Sequence, residues 1–210
     1  MSNGLELDLV VLVPGKDDRE AMAGLLSRWG ALGIRELSTE IPVHPRRDPG
    51  CFNEGPDFLR TFQRRARHAL LLFDHEGCGQ EARPRLEVAE DVKKRLVASG
   101  WGENAHVVVI SPELETWVWS HSPQVDRALG WHGRAPRLRD WLREKGLWLP
   151  EQAKPPRPKE TFYEALREAS LQKSSAIFRE LAETVSVQGC RDDAFQELTG
   201  TLRSWFPRLV

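Results

Sequence analysis

Acidic residues stand directly behind three apolar runs of this chain. Asp74, His75 and Glu76 follow His68 to Phe73 (HALLLF), and Glu113 and Glu115 follow His106 to Ile110 (HVVVI). Lys16, Asp17, Asp18 and Glu20 follow Leu7 to Val13 (LDLVVLV). Carboxylates gathered at one place suit a hard divalent cation, Mg²⁺ or Mn²⁺, which takes oxygen ligands and keeps several waters for a phosphate to displace. Left without a cation, clustered carboxylates raise one another's pKa, so a metal is the economical reason to collect them. Taken singly, Asp17, Asp18, Glu20 and Glu115 also read as helix N-terminal acids facing the macrodipole. Asp74 and Glu76 fit that reading poorly, because Gly77-Cys78-Gly79 suits a tight turn.

The elements that must position these acids follow from the runs themselves. Each run is apolar without alternation and rich in β-branched or leucine residues, as in a strand buried on both faces of a parallel sheet. Helical spacing intervenes at Ala21, Leu25 and Leu26 and again at Val88, Val92 and Leu96, so the first two-thirds alternates strand and helix. Ile34 to Val43 is a weaker strand candidate. His44 to Pro56 reads as a loop from its proline and glycine content, and Asp57 to Arg67 as a basic helix. Ser111-Pro112 reads as the start of another helix. Beyond Trp131 only helical patterns remain, around residues 138–147, 161–169, 177–184 and 195–205, with the KPPRPK stretch from Lys154 to Lys159 as a linker. The expected fold is α/β: a mainly parallel central sheet of about four strands flanked by helices over residues 1–122, with a C-terminal helical cap over residues 123–210 packed on it. In such open sheets ligands bind beyond the carboxyl ends of the strands. Neighbouring strand ends lie roughly 5 Å apart, so carboxylates from two ends can share one ion.

Basic groups are available to meet a phosphate. Arg46 and Arg47 lie in the loop after the second strand candidate, Lys16 follows the first, and Lys159 follows the proline-rich stretch, where it can offset the charge of a phosphoryl transition state. Arg60, Arg64, Arg65, Arg67 and His68, interleaved with Phe58 and Phe62, can track a polynucleotide backbone or form a solvated helix face. His75 can serve as ligand, base or turn residue. Trp117 and Trp119, two apart, cannot face the same way on a helix, so one is expected on the core and the other on the cap.

Composition narrows the classes. With 30 Lys+Arg against 31 Asp+Glu in 210 residues, the net charge of -1 excludes a uniformly cationic nucleic-acid coat and leaves only a local basic face. Three cysteines without paired spacing indicate neither a disulfide scaffold nor a structural zinc site. No run approaches the roughly 18 apolar residues of a membrane span, and Met1 to Asp8 lacks a basic region followed by an apolar segment, so a cytoplasmic location is expected.

In motif order the chain resembles the Toprim-like fold of topoisomerases, primases and the overcoming-lysogenization-defect nucleases. The closer resemblance is to small bacterial Toprim-like families found near defence genes. The matching stretches are Pro14-Gly15-Lys16-Asp17-Asp18, Asp74-His75-Glu76-Gly77 and Pro112-Glu113-Leu114-Glu115-Thr116-Trp117. Lys159, Ser175 to Ala182 and Phe195 to Trp205 continue the pattern. Pro14 stands where the family has its first glutamate, and Glu76 replaces its second aspartate. Asp17, Asp18 and Glu40 are the acids that can replace the missing glutamate, and spacing does not choose among them. The resemblance implies a metal-dependent nuclease of bacterial anti-phage defence. Asp74, Glu76, Glu113 and Glu115 would hold Mg²⁺ or Mn²⁺, with Asp74, Glu76, Glu113 and Lys159 as the catalytic set. Implied partners are nucleic acid, other defence proteins and a second copy of the chain, with no membrane. The rivals are an inactive subunit that holds a partner through its Trp-rich cap, and a phosphohydrolase of small nucleotides.

Overall fold

The computed structural model describes residues 6–208; most of Met1 to Asp8, read above for a leader, lies outside that range. Four parallel strands form the central sheet: β1 (Leu7–Leu12), β2 (Thr39–Glu40), β3 (Ala66–Asp74) and β4 (Ala105–Ile110), in the order β2-β1-β3-β4. Their unalternating apolar sequences are explained by two hydrophobic layers. Leu9, Val11, Leu70, Leu72, Val108 and Ile110 face one layer, and Val10, Leu12, Leu71, Phe73, Val107 and Val109 face the other. All twelve are buried. The α/β architecture with a parallel four-stranded sheet is therefore as the apolar runs predict.

Helices cover both faces. Between β1 and β2 come α1 (Lys16–Leu26) and the single turn α2 (Trp29–Leu32). Next, α3 (Arg47–Arg60) leads into β3, and α4 (Arg85–Leu96) leads through a π-helical turn at Val97–Trp101 into β4. After β4 the chain makes a short 3-10 helix, Leu114–Trp117, and then α5 (Pro123–Ala128), α6 (Leu138–Glu144), α7 (Pro158–Glu168), α8 (Ser175–Thr184) and α9 (Asp193–Trp205). Phe52 and Leu59 of α3 and Val88 and Val92 of α4 close the second layer. On the first layer, α1 packs with Phe162 of α7, Phe178 of α8 and Leu198 of α9, so the C-terminal helices share one continuous core with the sheet.

Four local expectations are corrected. The loop expected over His44 to Pro56 is mostly the helix α3. Pro49 sits in its first turn, where a missing N–H costs nothing. Its glycines serve close packing rather than turning: a Cβ on Gly50 would lie 2.1 Å from His44 Nδ1, and one on Gly55 would lie 2.7 Å from Leu71 Cδ2. The basic helix expected from Asp57 to Arg67 consequently ends at Arg60, and Arg67 already belongs to β3. Of Ile34 to Val43, only Thr39–Glu40 forms a strand. The helix expected at Ser111-Pro112 is replaced by a cis peptide and an extended Glu113. Here the backbone instead carries the β3–β4 pairing onward, with His75 N–H donating to Ile110 O (2.7 Å) and Glu76 N–H to Pro112 O (2.9 Å).

Both Trp117 and Trp119 bond into the C-terminal half rather than dividing between core and cap. Trp117 Nε1–H donates to Asp192 Oδ1 (2.8 Å), and Trp119 Nε1–H donates to Pro158 O (3.0 Å), fixing the start of α7. Among the described residues no helix is long and apolar enough to cross a membrane.

Candidate metal centre

All five acids of the group lie at or follow the carboxyl ends of the four strands. Asp74 is the last residue of β3. Glu113 and Glu115 lie just past β4, the first extended and the second in the 3-10 turn, whose tight winding returns both toward β3. One carboxylate oxygen from each of Asp74, Glu113 and Glu115 lies within 4.8 Å of the others, a spacing one hard cation can span. Asp18 comes from the first turn of α1, after β1. Asp48 comes from the first turn of α3, after β2, and its Oδ1 accepts the Asp74 backbone N–H at 2.9 Å.

Burial sets the electrostatics. Asp18, Asp74, Glu113 and Glu115 are only 7%, 9%, 4% and 4% exposed. Burial, reinforced by Asp18, Asp48 and Glu115, pushes the Asp74 carboxyl well above the usual range. Burial and then Asp48, Asp17 and Glu115 push Asp18 to about 7. Burial raises Asp48 despite the Asp74 N–H it accepts, and raises Glu115 to about 6 despite Lys159.

Lys159, in the first turn of α7, binds Glu113 twice, through its backbone N–H (3.1 Å to Oε1) and its ammonium (3.0 Å to Oε2). Burial alone would lower the pKa of Lys159, but Glu113, Glu115 and Asp74 together raise it. One ammonium does not neutralise the group. Asp18 Oδ1 and Asp74 Oδ1 are buried without a hydrogen-bond partner, and buried polar atoms left that way are rare and costly. The donor set is all oxygen, the kind that a hard divalent cation takes.

The acids predicted from the strand ends divide. Asp74, Glu113 and Glu115 come together, with Lys159 against them. Glu76 is exposed and lies outside the group, because its backbone is tied to Pro112 and the following turn leads outward. Asp17 is held by Lys173 and by Ser175 Oγ–H (2.6 Å), and Glu20 by Arg179 at 3.2 Å, so both tie α1 to α8. His75 Nε2 meets Arg83 O at 2.9 Å in the turn. Lys16 and Arg47 are exposed, and Arg47 lies near enough to act on Asp48. Arg46 is paired with Glu54. Cys51 and Cys78 are buried, and burial raises their thiols, which disfavours the nucleophilic thiolate.

Asp48 is the acid that sequence reasoning missed. Its signal was an acid followed by proline, the composition of a helix first turn, inside a segment taken for a loop. Of Asp17, Asp18 and Glu40, only Asp18 is close enough to Asp74 and Asp48 to act on them, whereas Asp17 is engaged by α8 and Glu40 pairs with Arg65. No protein-family model matches the chain, and no curated protein or solved structure matches it either.

Proposed function

We propose that this protein is a metal-dependent phosphodiester hydrolase, a nuclease whose ion is held by Asp74, Glu113 and Glu115, with Asp18 and Asp48 completing the acidic pocket. One observation carries the reading: Asp74 is buried among four other carboxylates and keeps an unpartnered oxygen, with the ammonium of Lys159 acting against their charge. A bound divalent cation supplies Lewis-acid activation of water and of a phosphoryl oxygen.

The chain's own groups do the rest. Lys159 fixes both oxygens of Glu113 and keeps a positive charge beside the incoming phosphate. Arg47 and Lys16 are exposed toward solvent at the same end of the sheet, where guanidinium and ammonium groups hold phosphate oxygens. A role in bacterial anti-phage defence, among other proteins of such a system, rests on the motif resemblance alone.

The test is cleavage of fluorogenic DNA and RNA oligonucleotides with Mg²⁺ or Mn²⁺. Turnover is expected to require the metal and to disappear in Asp74→Asn. Absence of turnover on every substrate with both metals would discard the reading.

One observation favours a second reading, that of an interaction subunit. A largely apolar cavity of about 870 Å³ opens between α1, α8 and the 3-10 helix, lined by Met22, Leu25, Trp117, Phe178 and Phe195. A stable complex without metal-dependent turnover would support it.

A further inference from the structure

Tyr163 is the only tyrosine of the chain and is 40% exposed. It lies on α7 four residues after Lys159, hence on the same helix face one turn on. The buried side of that helix is made by Thr161, Phe162, Ala165 and Leu166, and the neighbouring Phe162 ring backs Tyr163 edge-on with centroids 6.0 Å apart. Lys173, at the far end of the loop that follows this helix, is bonded to Asp17. The ammonium of Lys173, which burial alone would weaken, is held by Asp17, and Tyr163 and Glu115 lie in the same neighbourhood. An exposed aromatic ring thus lies one helical turn from the ammonium that is bonded to Glu113 of the carboxylate cluster.

That combination is suited to a nucleotide. A lysine meets a phosphate, an exposed ring offers a stacking face to any base, and a base already stacked in a duplex has no face to give. We infer that Tyr163 is the stacking platform for an unpaired base of a single-stranded nucleic acid whose phosphate lies at the carboxylate cluster. The inference rests on the phosphodiester-hydrolase reading above and adds its substrate class.

The experiment compares single-stranded oligonucleotide reporters, made as DNA and as RNA, with reporters of the same length built from abasic tetrahydrofuran units. The wild-type protein should show a lower KM on the base-bearing strands. Tyr163→Ala should raise that KM by roughly 5- to 150-fold, with kcat and the abasic KM little changed. Tyr163→Phe and Tyr163→Trp should stay close to wild type, because the ring and not the hydroxyl is used. Equal KM values for base-bearing and abasic strands, or an equal loss on both in Tyr163→Ala, would overturn the inference and leave the hydrolase reading standing. If the wild-type protein cleaves no strand of either kind, the hydrolase reading falls and the inference with it.

Discussion

Lys159 grips Glu113 by two hydrogen bonds at once, 3.1 Å from its backbone N–H and 3.0 Å from its ammonium. A side chain that is 45% exposed thereby serves as counter-charge to one that is 5% exposed. The pair joins the start of α7 to the exit of β4 and places a cation at the rim of the acids without cancelling their charge.

Lys159→Met keeps the backbone bond and removes the ammonium. Stripping the partner from a buried carboxylate destabilises, though the exposure of Lys159 reduces the effect to about 1–2 kcal/mol. The melting temperature should fall by about 2–6 °C, and Mn²⁺ should recover more of it than in wild type. Differential scanning calorimetry with and without Mn²⁺ reads both changes.

The acids make stability depend on pH in a defined direction. The Asp18 carboxyl stands at about 7 against an ordinary 3.8. Its contribution is complete below about 4, where folded and unfolded chains are both protonated, and is lost as pH rises through about 7. Thermal melts of metal-free protein should therefore fall between pH 4 and 8, and Asp18→Asn should flatten that slope. Millimolar Mn²⁺ should raise the melting temperature more at pH 8 than at pH 5.

Asp74→Asn should separate stability from binding. The amide removes the charge that burial penalises, so the metal-free variant should melt about 2–6 °C higher than wild type at pH 8 while losing its response to Mn²⁺. A lower melting temperature in the metal-free variant would mean that Asp74 is stabilised by its neighbours rather than opposed by them.

Much of this arrangement was legible from runs and strand ends, and the parts that were not have identifiable causes. β1, β3 and β4 are apolar on both faces, so their identity, and the place of Asp74, Glu113 and Glu115 beyond two of them, follow from buried parallel pairing. β2 is two residues long at the sheet edge and carries almost no pattern. α3 was hidden because Pro49, Gly50, Gly55 and Pro56 give it the composition of a loop, whereas the fold uses the glycines to admit His44 and Leu71. Losing that helix meant losing Asp48. Glu76 shares with Asp74 only its place behind β3: its backbone N–H is tied to Pro112 O and its side chain is exposed, which position in the sequence does not reveal.

That correction has its own test. Glu76→Gln alters an exposed residue outside the cluster and should leave both Mn²⁺ affinity and melting temperature unchanged, the latter within about ±0.5 kcal/mol of stability. A tenfold loss of Mn²⁺ affinity in titration would return Glu76 to the site.

Isothermal titration of Mn²⁺ into the metal-free protein at pH 8 bears most directly on the buried carboxylates as a cation site. Wild type should bind Mn²⁺ saturably and release protons in the process, while Asp74→Asn and Glu115→Gln should bind it at least tenfold more weakly. No saturable binding in wild type, or the same binding in Asp74→Asn, would contradict the assignment.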